Sequence, residues 1–150
     1  MGMVIDTTTE FGQRVANRLR DDPVIWLITV RPDGAPVPSP VWFHWDGHSV
    51  LIYSQPDTPK LRNISANRHV ALHFDSEDRT GRGGHDGENI VIISGLAQVD
   101  PDAPSGEKHA GFIAKYLDSG RCAAWGLAFA DLAREFSVAI RVNPTRLRGS

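Results

Sequence analysis

Most apolar residues of the chain fall in short β-branched or aromatic runs that turn-forming residues separate. The run VIWLITV, residues 24–30, is followed by RPDGAP, whose proline at the second position and glycine at the fourth favour a tight turn. The segment VPSPVWFHW, residues 37–45, then resumes strand character. Together these segments predict a β-hairpin.

Strands and turns continue to alternate further along the chain. Asp46 and Gly47 give a second turn signal before HSVLIYS, so three strands follow one another with short connections, as in a meander rather than a βαβ repeat. Three later segments also have strand character: VALHFDS, IVIISGLAQVD and SVAIRVNPTRLRG. Gly95, in the second of these, indicates a bulge or a close backbone approach. The pattern therefore predicts six strands.

Helical spacing is limited to a few segments. Near the start of the chain, Thr8 or Thr9 can serve as the N-cap of a helix in which Phe11, Val15 and Leu19 share one face. This segment predicts a short amphipathic helix.

A longer helical region is predicted after the fifth strand. Ser105 can cap a helix in which Phe112, Tyr116 and Leu117 share a face. Two other segments have helical character: PKLRNISANRH and WGLAFADLAREF.

Six strands in mostly sequential antiparallel order predict a mainly β fold, a six-stranded closed or split antiparallel β-barrel with helices packed outside. The length of 150 residues predicts one domain, residues 1–150. Residues 77–88 are rich in glycine and charge and contain no large apolar side chain, which predicts a mobile loop between two strands.

Charge and composition narrow the class of function. The net charge is −2 and the apolar fraction is 41%, which argues against general binding to nucleic acid or to an anionic membrane. No apolar run approaches the ~18 residues that span a bilayer, and the N-terminus lacks a basic segment followed by an apolar block, so we expect a cytoplasmic protein. Cys122 is the single cysteine, which excludes an intramolecular disulfide and a cysteine zinc cluster.

The histidines do not predict a metal site. His69 and His73 lie on one predicted strand, where a spacing of four residues separates them by ~13 Å. His44 and His48 flank a turn, but no carboxylate pair at ligand spacing accompanies them. The Gly-x-Ser-x-Gly sequence of a serine nucleophile is also absent.

The segment YSQPDTPKLRN, residues 53–63, combines several groups that bind phosphate. Ser54 and Thr58 supply hydroxyls, Lys60 and Arg62 supply positive charge, and Lys60 stands at the start of a predicted helix whose free N–H groups favour anions. A loop with a capping threonine and solvated cations would have the same sequence. From these residues alone both interpretations stay open.

Aromatic residues on one predicted strand point to both of its faces. Trp42 points to one face, and Phe43 and Trp45 point to the other, so one of the faces meets a partner subunit or a flat ligand. Stacking on a ligand and packing at a dimer interface are equally consistent with this pattern.

The order of these features resembles a known family. An Asp-Gly hairpin, a Pro-Val-Trp-Phe strand, a Lys-x-Arg-Asn helix start and an Asn-x-x-Val-x-Leu strand, between Trp26 and Val99, are similar to the pyridoxamine 5′-phosphate oxidase-like split barrels. The similarity is greatest to the actinobacterial branch that binds a flavin or the deazaflavin coenzyme F420.

The resemblance implies a set of cofactor-binding residues. Pro40, Val41 and Trp42 match the strand that runs beside the flavin or deazaflavin ring in the family. The resemblance places the other candidates near the ribityl chain and phosphate or in the same pocket: Tyr53, Ser54, Thr58, Lys60, Arg62 and Asn63. It also implies a homodimer with two cofactor sites at the subunit interface.

One departure from the family affects the expected activity. The pyridoxamine phosphate oxidases proper carry arginine where this chain has Pro59, so oxidation of vitamin B6 is not expected. The resemblance instead implies an oxidoreductase that uses reduced coenzyme F420 to transfer a hydride to a small conjugated or electron-poor substrate. The alternatives are an FMN-dependent oxidoreductase and a non-catalytic protein that binds flavin, deazaflavin or haem.

The proton donor for such a reaction is not identified by the sequence. Three residues stay open as candidates, Tyr116, His73 and His109, and no catalytic residue is assigned.

Overall fold

Seven strands form one antiparallel sheet in the computed structural model, which describes residues 3, 5–75 and 90–149. The order of the strands across the sheet is β2-β1-β5-β6-β7-β4-β3. Their bounds are β1 Ile25–Val30, β2 Pro36–Val41, β3 His44–Trp45, β4 Val50–Ser54, β5 His69–His73, β6 Val91–Val99 and β7 Val138–Gly149. The mainly β antiparallel class is confirmed, and the predicted loop 77–88 lies outside the described residues.

The prediction of six strands is wrong because the segment predicted as one strand is divided between β2 and β3. The strand is interrupted at Trp42 and Phe43. The backbone N–H of Phe43 donates to the phenol oxygen of Tyr116 at 2.9 Å instead of to a neighbouring strand. β3 then pairs with β4 through His44 opposite Leu51.

The bulge predicted at Gly95 is confirmed. The pairing of β6 with β7 shifts its register between Ser94 and Gly95. A Cβ atom at Gly95 would lie 2.8 Å from the carbonyl oxygen of Asn143, so only glycine allows the two backbones to approach this closely.

The helices pack on two sides of the curled sheet: the first two contribute to its inner apolar cluster, and those between β6 and β7 pack on its outer side. They are α1 Glu10–Asp21, α2 Pro59–Ala66, α3 Ala110–Phe112, α4 Arg121–Ala124 and α5 Phe129–Glu135, and α3 continues into a π-helix, Ile113–Asp118. The amphipathic α1 is confirmed: the hydroxyl of Thr9 accepts from the Gly12 N–H at 2.9 Å, and Val15 and Leu19 are buried. None of the described helices is long and apolar enough to cross a membrane.

The helix start predicted at Ser105 is wrong. Ser105 lies in a turn in which its carbonyl oxygen accepts from the Lys108 N–H at 2.9 Å. The helix begins at Ala110, and the Nδ1 atom of His109 accepts from the Phe112 N–H at 3.2 Å in place of a serine cap. The imidazole nitrogen is an uncommon capping acceptor, so the usual sequence signals do not identify it.

Two apolar clusters lie on opposite sides of β4 and β7. The larger cluster fills the inside of the curled sheet and includes Val50, Ile52 and Ile140. The smaller cluster lies between the outer side of the same strands and the helical region. Its buried members are Leu51, Phe112, Tyr116, Cys122, Phe129 and Ala139. The candidate site adjoins this second cluster.

Candidate functional site

A cavity of about 280 Å³ lies where the ends of β2 and β4 meet the start of α2 and one face of α5. Its lining is mostly apolar or aromatic, and among the described residues that form it Lys60 is the one with a charge. The lining residues are Pro40, Val41, Trp42, Tyr53, Lys60, Gly106, Phe112, Leu127, Phe129, Leu132, Ala133 and Phe136. The cavity therefore combines a broad apolar surface with a single amine.

Five of the nine residues proposed from the sequence line this cavity. They are Pro40, Val41, Trp42, Tyr53 and Lys60. They come from three separate elements, the end of β2, the end of β4 and the start of α2. The structure therefore brings together residues that are up to 20 positions apart in the chain.

Ser54 and Thr58 lie beside the cavity and contact each other. Their hydroxyl oxygens are 3.0 Å apart, and Ser54 is fully buried. Thr58 is the N-cap residue of α2, but its side chain does not cap the helix. Between them, Asp57 adopts the left-handed backbone conformation with a φ of 59°, which is costly for a residue with a Cβ atom. The turn is thus held in an unusual shape next to Lys60.

Lys60 is the second residue of α2 and is half-buried. Burial lowers the pKa of its amine from 10.5, because the charged form loses hydration inside the protein. None of the described residues forms an ion pair or a hydrogen bond with its side chain. Its position near the positive end of a helix makes an anionic ligand a favourable partner.

Arg62 and Asn63 do not line the cavity, and both make structural hydrogen bonds. The guanidinium of Arg62 donates to the Asp57 carbonyl oxygen at 2.8 Å. The buried amide of Asn63 donates to the Thr29 hydroxyl at 3.0 Å, which ties α2 to β1. These contacts account for both side chains without a ligand.

Trp42 forms an aromatic wall of the cavity. Its ring stacks on the ring of Tyr116, with centroids 4.5 Å apart and planes 5° apart, and the Trp125 ring lies 5.5 Å from it. Phe43 and Trp45 pack instead with the larger core. The prediction that Trp42 and its two aromatic neighbours serve different faces is therefore confirmed.

Tyr53 and His109 extend the aromatic surface. The Tyr53 hydroxyl donates to the carbonyl oxygen of Pro104, and burial raises the pKa of Tyr53 to about 12, so the phenol stays protonated. The His109 ring packs edge-on against Phe112 at 5.6 Å and lies 5.0 Å from the His44 ring. Burial lowers the pKa of both histidines, and the proximity of the two rings lowers that of His44 further.

The three open candidates for a proton donor have different surroundings. Tyr116 is fully buried with its hydroxyl bound to backbone atoms, and burial raises its pKa. His73 stacks on Trp26 on the side of the sheet away from the core. His109 packs edge-on against two residues of the cavity lining, Tyr53 and Phe112, whereas Tyr116 stacks on Trp42 and Phe112.

The α5 side of the cavity was not anticipated from the sequence. Phe129, Leu132, Ala133 and Phe136 recur at helical spacing, and this pattern predicted the helix but not the surface that its apolar face would contact. Gly106 approaches the same helix, since a Cβ atom there would lie 3.4 Å from the Ala133 Cβ. Contact between distant segments has no local sequence signal.

The residues present fit a ligand that combines a flat apolar ring with an anionic group. Aromatic and aliphatic walls would cover the ring, and the Lys60 amine with the neighbouring hydroxyls would bind the anion. In the described part of the chain, no group of three or more histidine, cysteine, aspartate or glutamate residues is arranged to hold a metal ion.

Several solved structures are similar to this chain. An F420 reductase is 28% identical over 88% of this chain and 94% of its own, with a TM-score of 0.63. Two structures of lower sequence identity share the fold: the haem storage protein HutZ from Vibrio cholerae and a conserved hypothetical protein from Mycobacterium tuberculosis. HutZ is 15% identical over 98% of this chain and 95% of its own, with a TM-score of 0.64. The mycobacterial protein is 16% identical over 99% of this chain and 88% of its own, with a TM-score of 0.70.

The sequence profile of one family covers nearly the whole chain. No curated protein matches the chain in sequence. The profile described as pyridoxamine 5′-phosphate oxidase matches residues 11–148, which include the whole sheet except the last residue of β7. The chain therefore belongs to the pyridoxamine 5′-phosphate oxidase-like family of split-barrel proteins.

Proposed function

We propose that this protein is an oxidoreductase that uses reduced coenzyme F420 to reduce a small conjugated or electron-poor organic substrate. The observation that carries the proposal is the position of Lys60, a half-buried amine at the edge of an otherwise apolar cavity beside the Ser54 and Thr58 hydroxyls. The F420 reductase that matches 88% of the chain supports the choice of cofactor.

In this proposal the cofactor supplies the hydride, and the chain supplies binding and orientation. Lys60 would hold the phosphate through a charge-assisted hydrogen bond, and the Thr58 hydroxyl, which Ser54 holds in place, would donate to it. Pro40, Val41 and Trp42 would flank the ring. The apolar face of α5 would exclude water from the ring's other side.

We also propose that the protein is a homodimer through the outer face of the sheet. Alternate residues of β1, β5 and β6 point away from the core and are apolar yet only half-buried. They are Trp26, Ile28, Ala71, Ile92 and Leu96. An apolar sheet face of this kind is typical of surfaces that a partner covers. Analytical ultracentrifugation tests the proposed dimer. We expect the wild type to sediment as a dimer and Ile28→Glu to sediment as a monomer.

Titration of the protein with coenzyme F420 and with FMN tests the cofactor proposal. We expect coenzyme F420 to bind more tightly than FMN, and Lys60→Ala to weaken binding by about 1.5 to 3 kcal/mol through loss of the charge-assisted bond. Lys108→Ala is the matched control, because Lys108 is exposed and away from the cavity lining. Equal affinity of Lys60→Ala and the wild type would remove the phosphate assignment.

Titrations of the same protein also distinguish two alternative functions. Tighter binding of FMN would indicate an FMN-dependent oxidoreductase. The structural similarity to HutZ, a haem storage protein, makes haem the third ligand to titrate. Haem binding without reduction of any substrate by the F420-loaded or FMN-loaded protein would support a non-catalytic binding protein.

A further inference from the structure

Tyr116 holds the backbone of Phe43 at the interruption between β2 and β3. Its phenol oxygen accepts from the Phe43 N–H at 2.9 Å and lies 3.1 Å from the Phe43 carbonyl oxygen and 2.7 Å from the Pro23 carbonyl oxygen. The hydroxyl has one proton, so it donates to one of these carbonyls while it accepts from Phe43. Because the group is fully buried, these bonds are not exchanged for bonds to water.

Lys115, the preceding residue, contacts the same backbone position. Its ammonium group donates to the Phe43 carbonyl oxygen at 3.0 Å and lies 3.5 Å from the centre of the Phe43 ring. Both residues belong to the π-helix Ile113–Asp118, a form that is rare and is frequent at functional sites. The π-helix therefore fixes Phe43 through two neighbouring side chains.

These contacts lie next to Trp42, which lines the cavity. Trp42 directly precedes Phe43, and its ring stacks on the Tyr116 ring at 4.5 Å. Neither Tyr116 nor Lys115 lines the cavity. The lining residues whose rings stack on Tyr116 are Trp42 and Phe112, the latter at 5.4 Å.

We propose that Tyr116 and Lys115 are positioning residues for Trp42, which they hold against the ligand cavity by clamping the backbone of Phe43. The part of this inference that concerns ligand affinity rests on the proposed function. The part that concerns the orientation of Trp42 does not.

The charge of Lys115 makes the clamp sensitive to pH. Burial and, to a smaller extent, the nearby Arg121 lower the pKa of Lys115 to about 7, while Asp22 and Asp21 oppose the shift. The charged or titratable groups that face it come from four elements: Asp21 and Asp22 at the end of α1, Arg121 of α4, His44 of β3 and Tyr116 of its own helix. The ammonium form donates the stronger hydrogen bond to Phe43, so the clamp is tighter below neutral pH.

The first experiment measures Trp42 without any ligand. The near-ultraviolet circular dichroism of Trp42 is obtained as the difference between the spectra of each protein and the same protein carrying Trp42→Phe. We expect Tyr116→Phe and Lys115→Met each to reduce this signal by at least half, while Lys108→Met leaves it unchanged. An unchanged Trp42 signal in both Tyr116→Phe and Lys115→Met overturns the proposal, and Lys115→Met decides alone if Tyr116→Phe does not fold.

The second experiment is a double-mutant cycle on the affinity for coenzyme F420 and for FMN. We expect Tyr116→Phe to weaken binding about tenfold in the wild-type background and not at all in the Trp42→Ala background, because the effect passes through Trp42. Additive losses overturn the role in ligand binding. If the wild type binds neither cofactor, the proposed function fails, and the spectroscopic experiment still decides whether the clamp positions Trp42.

The pH dependence of affinity gives a third, independent result. Between pH 6 and pH 8.5 the wild type is expected to lose about threefold to tenfold more affinity than Lys115→Met, since only the wild type loses a charged donor to Phe43. Parallel pH profiles of the two proteins would overturn the role of Lys115 and confine the clamp to Tyr116.

Discussion

The hydroxyl oxygens of Ser54 and Thr58 lie 3.0 Å apart across the turn that joins β4 to α2. The single proton of the Ser54 hydroxyl is donated to the Gln55 carbonyl oxygen at 2.8 Å, so Thr58 is the donor within the pair, and a phosphate would compete with Ser54 for the Thr58 proton. The pair therefore presents a fixed hydroxyl next to the Lys60 amine.

We predict that Thr58→Val weakens the binding of FMN by about 0.5 to 1.5 kcal/mol and leaves the binding of riboflavin unchanged. Valine keeps the shape of threonine and removes its hydroxyl, so only a ligand with a phosphate loses a bond. The ratio of the two dissociation constants is the measurement, and Thr7→Val, at an exposed position, is the control. An equal loss for both ligands would show that Thr58 supports the shape of the pocket rather than the phosphate.

Lys115 is expected to limit the stability of the fold. Its pKa is about 7 in the folded protein and 10.5 in an ordinary environment, so the unfolded chain binds more protons between these values. Stability therefore rises with pH across this window, and the full cost of the buried charge is present below pH 7. We predict that Lys115→Met raises the free energy of unfolding at pH 6 by on the order of 1–3 kcal/mol.

Urea unfolding at pH 6 and pH 9.5 measures this effect. The advantage of Lys115→Met should shrink at pH 9.5, where most of the wild-type lysine is neutral in the folded protein. An advantage that is equal at both pH values would mean that apolar packing, and not charge, explains it. Combined with weaker cofactor binding, a gain in stability would separate the positioning role of Lys115 from a structural one.

Much of the fold follows from local sequence signals. Most of the strands have β-branched or aromatic runs between turn residues, and α1 has a threonine cap and an apolar stripe. The interruption between β2 and β3 has no such signal. It depends on a hydrogen bond between Phe43 and Tyr116, which are 73 positions apart. Contacts over this distance cannot be inferred from local patterns.

The candidate site also has one part that local sequence signals predict and one part that they do not. The residues that are near one another in the chain, at the start of α2, were proposed from their chemistry and lie beside the cavity. The residue types alone could not show that Arg62 and Asn63 make structural bonds to Asp57 and Thr29. The wall from α5 was missed because a helical apolar face shows that the helix is amphipathic but not which surface it covers.

The pair His44 and His109 is expected to make the helical region sensitive to acid. The pKa of each is lowered in the fold, first by burial, so below pH 6.5 the unfolded chain takes up protons before the folded one and stability falls. Protonation of His109 also removes the Nδ1 acceptor that caps α3. We predict that His109→Asn, which keeps a capping acceptor but cannot be protonated, loses less stability between pH 7.5 and pH 5 than the wild type.

Thermal unfolding at pH 7.5 and pH 5 measures how much stability His109→Asn and the wild type lose. His48→Asn is the control, because His48 is exposed and does not contact the pair. The idea is abandoned if His109→Asn and the wild type lose the same amount of stability on acidification.

Gly111 lies so close to His44 that any larger side chain at this position is expected to destabilise the protein. A Cβ atom at this position would lie 2.2 Å from the Nε2 atom of His44, far inside van der Waals contact. In most helices Gly→Ala stabilises by about 1 kcal/mol, whereas here the overlap must displace either the imidazole or α3. We predict that Gly111→Ala lowers the free energy of unfolding by about 1–3 kcal/mol. In the His44→Ala background the imidazole is absent, so Gly111→Ala should cost no stability or should stabilise the protein.

Urea unfolding of the wild type, the two single variants and the double variant measures the coupling between Gly111 and His44. A loss of stability from Gly111→Ala that persists without His44 would assign the constraint to the backbone of α3 instead.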